Sequence, residues 1–329
     1  MKQAVLVSLV SASLGWHAAY AGPEDASDWL QKAATAARKL NYQGTFVYQH
    51  GSQVNTSRVI HIADEAGDRA KLVAVDGPLR EIIRDNDEIR CYLPSSKIIK
   101  VERRSSRGSF PALLPEQLSQ LADHYKIEKG GVDRAAGYEC QVVILKPRDT
   151  FRYGRFFCAE NQTGLLLKSK TFNDKNEVIE QITFTEVQID VAIDPQWLKP
   201  SYSSQSESWR IDRSAVSESV VSGTGWAVQN PPPGFKKILE MKRNVEGKSS
   251  PVAHLVYSDG LAAVSVFAEP LPSSSTSAVN GVSQQGAVHI YVRTVGEEHR
   301  ATVLGETPAV TVLQIGNSLV NPAGRQAQQ

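Results

Sequence analysis

The stretch YQGTFVYQ, residues 42–49, alternates large apolar or aromatic side chains with small or polar ones, and the same period of two returns at once in SRVIHIAD (57–64) and RAKLVAVD (69–76). Alternation at that period gives an extended chain one face to bury and one to leave wet. It continues through REIIRD (80–85), EIRCYL (88–93) and KIIKVERR (97–104). The links are short and carry Gly, Asp and Asn, which suit turns. They leave no room for helical crossovers, so the strands are expected to pair as an antiparallel meander.

Upstream, Ser27 stands before Trp29, Ala33, Ala36, Ala37 and Leu40, a helical stripe that Ser27 is placed to cap. Downstream, FPALLPEQLSQLADHY (110–125) breaks at Pro111 and Pro115 and then sets Leu118, Leu121 and Ala122 on one face of an expected helix. Strand patterns resume in YECQVVIL, FRYGRFFC, GLLLKSKTF and VIEQITFTEVQI, ending at Ile189. A sheet of this size with two helices has too little cover for both faces. Either it closes on itself or one concave face is left as a cavity, for which GTFVYQ, LVAVD and GLLLKSKTF supply apolar lining and ALLP stands at the mouth. Ordinary core is the competing reading of the same residues.

Residues 194–222 are rich in Ser and weakly periodic, as a linker is. A second unit is expected over 223–320: a strand near Phe235–Met241, the hairpin HLVYSDGLAAVSVFAEP (254–270) turning at Asp259-Gly260, paired strands AVHIYVRTV and RATVLGE, and a helix from Pro308 to Val320. Three or four strands under one helix would serve a unit of that length. The tail, 321–329, reads as disordered.

The first residues place Lys2 before an apolar run too short to cross a membrane and end in Ala19-Tyr20-Ala21, so 1–21 reads as a secretory signal peptide and the mature chain as a soluble exported protein. Removing Lys2 from 36 basic residues leaves 35 against 35 acidic ones. Zero net charge argues against bulk nucleic-acid binding. One basic cluster remains, Lys97, Lys100, Arg103, Arg104 and Arg107, of which Arg103, Arg104 and Arg107 are candidates for an anionic contact.

Three cysteines in an exported chain suggest one disulfide and one spare thiol. Cys140 and Cys158 flank a hairpin centred near Arg148, with Cys91 as the alternative partner of either. No CxxC, HExxH, GxSxG or phosphate loop occurs, so the sequence offers no catalytic centre, no metal site and no cofactor site.

Tyr42-x-Gly44-Thr45-Phe46-Val47-Tyr48, VDGPLREIIRDNDEIRCYLP (75–94), FPALLP (110–115), AGYECQVVILKPRDTFRYG (136–154), TGLLLKS (163–169), PPGF (232–235) and YSDGLAAVSVFAEP (257–270) together resemble the RseB/MucB family of bacterial periplasmic regulators. The resemblance implies an α+β chain: an N-terminal curved antiparallel half-barrel over 22–193 like the lipoprotein carriers (LolA/LolB-like), and a smaller C-terminal α/β sandwich. It implies a periplasmic negative regulator that binds the periplasmic domain of an RseA/MucA-like anti-sigma factor and shields it from proteolysis. Lipopolysaccharide or lipoprotein acyl chains are the implied release signal, and a homo-oligomer is allowed. On that basis Phe46, Tyr48, Val73, Leu113, Leu114, Leu165 and Leu167 are candidates for a lipid cavity or gate. Phe235, Tyr257, Phe267 and Tyr291 are candidates for the partner-binding face or its support. The alternative function is a periplasmic lipid or lipoprotein carrier, which needs uptake and release but no protein client.

Overall fold

The computed structural model describes residues 25–103, 109–115, 118–213, 223–243, 250–271, 280–296 and 298–321. The signal-peptide segment, Arg104, Arg107, and residues 214–222 of the expected linker lie outside the described residues, as does the tail from 322.

Helix α1 (Ala26–Lys39) begins at Asp25 rather than Ser27: the Asp25 carboxylate accepts the N–H groups of Ser27 and Asp28, and Asp28 returns the favour to the Asp25 N–H. That reciprocal cap satisfies three of the donors a helix start leaves unpaired, which a single serine hydroxyl would not. The strands β1 (Tyr42–His50), β2 (Gln53–Asp64), β3 (Gly67–Ala74), β4 (Glu81–Asp85), β5 (Glu88–Leu93) and β6 (Ile98–Arg103) form the meander read from the alternation. The expected helix after Pro115 is reduced to one turn, α2 (Leu121–His124), which runs directly into β7 (Tyr125–Ala135). Strands β8 (Tyr138–Pro147), β9 (Gly154–Glu160), β10 (Leu166–Phe172) and β11 (Val178–Ile189) follow, and β11 returns to pair with β1. Strand β12 (Arg210–Asp212) then adds parallel to β6.

The result is one mixed sheet in the order β12-β6-β5-β4-β3-β2-β1-β11-β10-β9-β8-β7. It has two free ends, β12 and β7, and is open; the expected half-barrel is not formed. The reason lies in what covers the sheet. Over β1, β2 and β7–β11 the core is supplied by α1 and by Phe110, Ala112, Leu114 and Leu121, with Leu30, Phe157, Leu165, Leu166, Leu167 and Phe184 nearly or fully buried. The other end has its own cover: residues 195–209 lie back along it, Trp209 packs on Tyr92, Ile99 and Val101, and the buried Lys71 ammonium meets the Lys199 carbonyl at 2.7 Å and Glu81 at 3.2 Å. Each half has a separate cover, so closing the sheet on itself is not needed to bury it. The 194–222 stretch thus divides: its first part belongs to the surface of the large sheet, and 214–222 are outside the described residues.

Cys140 and Cys158 are joined across β8 and β9, with Cα atoms 5.3 Å apart, and Cys91 is free.

The smaller unit opens with β13 (Ala227–Val228) and continues through β14 (Lys236–Arg243), β15 (Val252–Ser258), β16 (Ala263–Pro270), β17 (Gly281–Gln285), β18 (Val288–Val295) and β19 (His299–Gly305). These last six form an antiparallel sheet, β14-β15-β16-β19-β18-β17, larger than expected and not an α/β sandwich. Helix α3 (Ala309–Asn317) crosses one face through Val312 and Ile315, and it is shorter than read because β20 (Leu319–Val320) leaves it to pair with β13. Gly316 is required there: a Cβ would sit 2.6 Å from the Tyr291 ring.

Candidate functional site: the junction of the two sheets

The hairpin β15–β16 delivers its turn into the junction. Within the turn, Asp259 Oδ1 accepts the N–H groups of Leu261 (2.9 Å) and Ala262 (2.7 Å), which fixes the carboxylate's direction. Its other oxygen leaves the small unit and meets the Tyr125 hydroxyl, which donates at 3.2 Å, and Arg152 Nη1 at 3.1 Å. Both side chains of the Arg152–Asp259 pair have no solvent exposure. Nη1 lacks hydrogen-bond alignment with the carboxylate, so that contact is chiefly Coulombic. The guanidinium is otherwise well held: Nη2 donates to the Pro233 carbonyl at 2.5 Å, Nε to Asp149 at 3.2 Å, and its plane lies over the rings of Tyr125 and Phe235. Burial first, and then the Asp259 charge, push the Tyr125 hydroxyl well above its usual pKa, keeping it a neutral donor. A buried ion pair adds little net stability over a well-packed apolar pair of similar shape, but loss of one partner is costly because it strands the other charge.

Around this latch the units meet at two glycine seats. Gly286 is left-handed, at φ +65°, and a Cβ there would fall 1.1 Å from the His50 ring, while the next N–H, of Ala287, donates to His50 Nε2 at 2.9 Å. Gly234, at φ +81°, takes the ring of His124 where a Cβ would be 2.2 Å away. On α3, the Thr311 hydroxyl donates to the Phe151 carbonyl at 2.7 Å. His289 Nδ1 lies 2.8 Å from the Thr307 carbonyl and 3.2 Å from the Tyr153 hydroxyl. The first contact requires the proton on Nδ1, so Nδ1 is the donor. Burial, aided by the Asp174 charge, raises the Tyr153 pKa to about 12.

Beside these contacts lies a cleft of about 840 Å³. The large unit contributes Pro147, Tyr153, Arg155, Phe156, Phe172 and Lys175; the small one contributes Gln284, His289 and the start of α3, where Val310 is exposed. Arg155 donates to Thr171 Oγ1 at 2.5 Å. Its lining mixes apolar groups with charged and polar ones, among them Asp149, Asp174, Arg155 and Lys175, and so suits an extended chain or an amphiphile that carries both kinds of group. Among the described residues no group of His, Cys, Asp or Glu is arranged to hold a metal.

None of the positions expected to form a lipid cavity lines this cleft. Phe46, Leu114, Leu165 and Leu167 are buried in the main core, Phe46 edge-on to Phe110 and Phe184. Leu113 packs against that core, and Tyr48 and Val73 are half-buried. Of the second set, Phe235 supports the Arg152 guanidinium, Tyr257 is buried and accepts the Val228 N–H, Phe267 stacks on His254, and Tyr291 packs on α3. Arg103 is exposed at the end of β6. The sequence reading missed Arg152, Tyr125, His50, His124 and His289 as junction residues. Asp259 was read only as turn chemistry, and nothing local marks an arginine that pairs 107 positions away in sequence.

The two units meet at a junction latched by a buried ion pair, an arrangement that can hold one relative placement of the units or release it. The chain belongs to the MucB/RseB family: the pattern of the MucB/RseB N-terminal domain matches residues 25–202, and that of the C-terminal domain matches residues 221–320. It is 31% identical over 314 residues to the sigma factor AlgU regulatory protein MucB of Pseudomonas aeruginosa, covering 92% of this chain and 93% of the relative. It is 25% identical to the sigma-E factor regulatory protein RseB of Haemophilus influenzae, covering 87% and 88%. The fold superposes on crystalline MucB in complex with MucA(peri) with a TM-score of 0.71 at 29% identity, covering 90% of this chain and 99% of that one.

Proposed function

We propose that this chain is an exported periplasmic negative regulator of an envelope-stress sigma factor. It binds the periplasmic domain of a membrane-spanning, RseA/MucA-like anti-sigma factor and shields it from regulated proteolysis. The observation that carries the reading is the extent of the likeness: both family domains match in order, and nine-tenths of the chain superposes on MucB as found with MucA(peri). The protein acts by binding and is not an enzyme; its relatives are named as regulatory proteins. We place the partner-binding unit at 223–320, with Phe267 and Tyr291 as the candidate residues that keep some exposure.

Release by a lipid-bearing envelope component requires that the lipid prefer a different domain arrangement; occupancy without preference shifts nothing. Acyl contacts then fall to Tyr48, Val73 and Leu113, which retain solvent access, and a head-group contact to Arg103. The carrier alternative, which needs no protein client, draws no comparable support, since the relatives are named as regulatory proteins. The test is a transcriptional reporter of the sigma factor in cells lacking this chain. Reporter activity should rise and return to basal on complementation; an unchanged reporter refutes the reading.

A further inference from the structure

Among the described residues the ends of the two large sheets leave four strand edges unpaired, and three carry the features by which proteins keep an edge from pairing with a stranger. Strand β7 is broken by a bulge at Gly130-Gly131 and carries Lys126, Glu128, Lys129 and Asp133. Strand β12 has three residues, two of them charged. Strand β14 has a bulge between Lys237 and Leu239 and presents Lys236, Lys237, Lys242 and Arg243. Strand β17, GVSQQ, has none of these: it has no charge, no proline and no register shift, and all five residues are exposed.

The direction of its backbone groups can be worked out. Gln285 pairs with Val288 across the two-residue turn Gly286-Ala287, and Gly286 at φ +65° fits the first central position of a type II′ turn. In such a hairpin the pair flanking the turn exchanges both hydrogen bonds, and alternate pairs point away. Gln285 and Ser283 therefore bond to β18, while the N–H and C=O groups of Val282 and Gln284 face outward. Their side chains lie on the face of their pair partners Tyr291 and His289, the side of α3 and the cleft, and Gln284 itself lines the cleft.

We infer that the free edge of β17 is a docking strand for an extended segment of the anti-sigma partner, which adds as a seventh strand and turns apolar side chains at alternate positions toward Val282, Val310 and the cleft. Main-chain pairing gives such addition its affinity and the alternate side chains give it specificity. The occupant is argued from continuity: Val282 and Val310 are exposed apolar groups, 44% and 40%, on the side where the cleft continues with Phe156 and Phe172. The inference rests on the function proposed above and names its surface.

The experiment uses the full mature chain and the periplasmic domain of the anti-sigma factor, with amide hydrogen exchange and a binding titration. The parent chain should bind, the amides of Val282 and Gln284 should slow on binding, and Val282→Pro, which removes one outward donor from an edge, should weaken binding at least about tenfold. Ile238→Lys, on the edge of β14, should bind as the parent does. Binding by the parent with both amides unprotected and Val282→Pro unaffected overturns the inference and leaves the proposed function intact. So does loss of a self-associated form of the free protein in Val282→Pro with partner binding retained, which assigns the edge to a second copy. Absence of binding by the parent overturns both.

Discussion

Asp259→Asn removes a charge from the latch while keeping its shape. The Asn carbonyl oxygen can retain the two turn bonds from Leu261 and Ala262, so the hairpin is preserved. The amide group then faces the Arg152 guanidinium, donor against donor, where a carboxylate oxygen stood 3.1 Å away. Removing one partner of a fully buried pair costs about 3–5 kcal/mol, because the other charge is left without compensation. Asp149 remains 3.2 Å from Arg152 Nε and takes part of that charge, so the lower end, about 3 kcal/mol, is expected. Urea unfolding of Asp259→Asn, Arg152→Met and the double variant gives the assay. Each single variant should lose stability, and the double should lose much less than their sum, because it leaves neither charge stranded. A single-variant loss within about 0.5 kcal/mol of zero, or strict additivity in the cycle, refutes the latch as described.

Three further outcomes follow from other sites. His254 is buried with both ring nitrogens unpartnered, and burial, with the Arg243 charge second, lowers its pKa from 6.5 to about 4. The unfolded chain takes up a proton at a pH where the folded one does not, so stability should fall as pH drops from about 6.5 to about 4, by up to about 3 kcal/mol, and His254→Leu should flatten that slope; equal slopes would contradict it. Replacing both Cys140 and Cys158 by Ala releases an 18-residue constraint between two strands and should cost about 3 kcal/mol in urea unfolding under non-reducing conditions, with reduced parent behaving like the variant. Gly286→Ala sets a Cβ inside the His50 ring at a left-handed φ, so the Ala287–His50 hydrogen bond should be lost and the two units should part at that corner, read as a larger radius of gyration in solution scattering.

The strands of the meander and the hairpin at 254–270 were legible because alternation is a local signal, as in SRVIHIAD and AVSVFAEP. The family motifs were legible too. Three kinds of feature were not. Strand β17 lacks any apolar alternation in GVSQQ, since an edge strand need not bury a face. The one-turn α2 carries a helical stripe in its sequence, yet Tyr125 is claimed by β7 and by Asp259, and tertiary pairing overrides propensity. The openness of the large sheet depends on where residues 195–212 lie, and Trp209 seeking Tyr92 is a contact of long range. The junction was hidden for the same reason. Asp259 and Arg152 each make local sense, in a turn and in a basic loop, and only the fold makes them a pair.

The measurement closest to the central claim is a calorimetric titration of the mature chain with the periplasmic domain of its cognate anti-sigma factor. The account predicts saturable binding of defined stoichiometry, together with protection of the bound domain from the protease that begins its degradation. Absence of binding across the micromolar range, or binding that leaves cleavage unchanged, would contradict it.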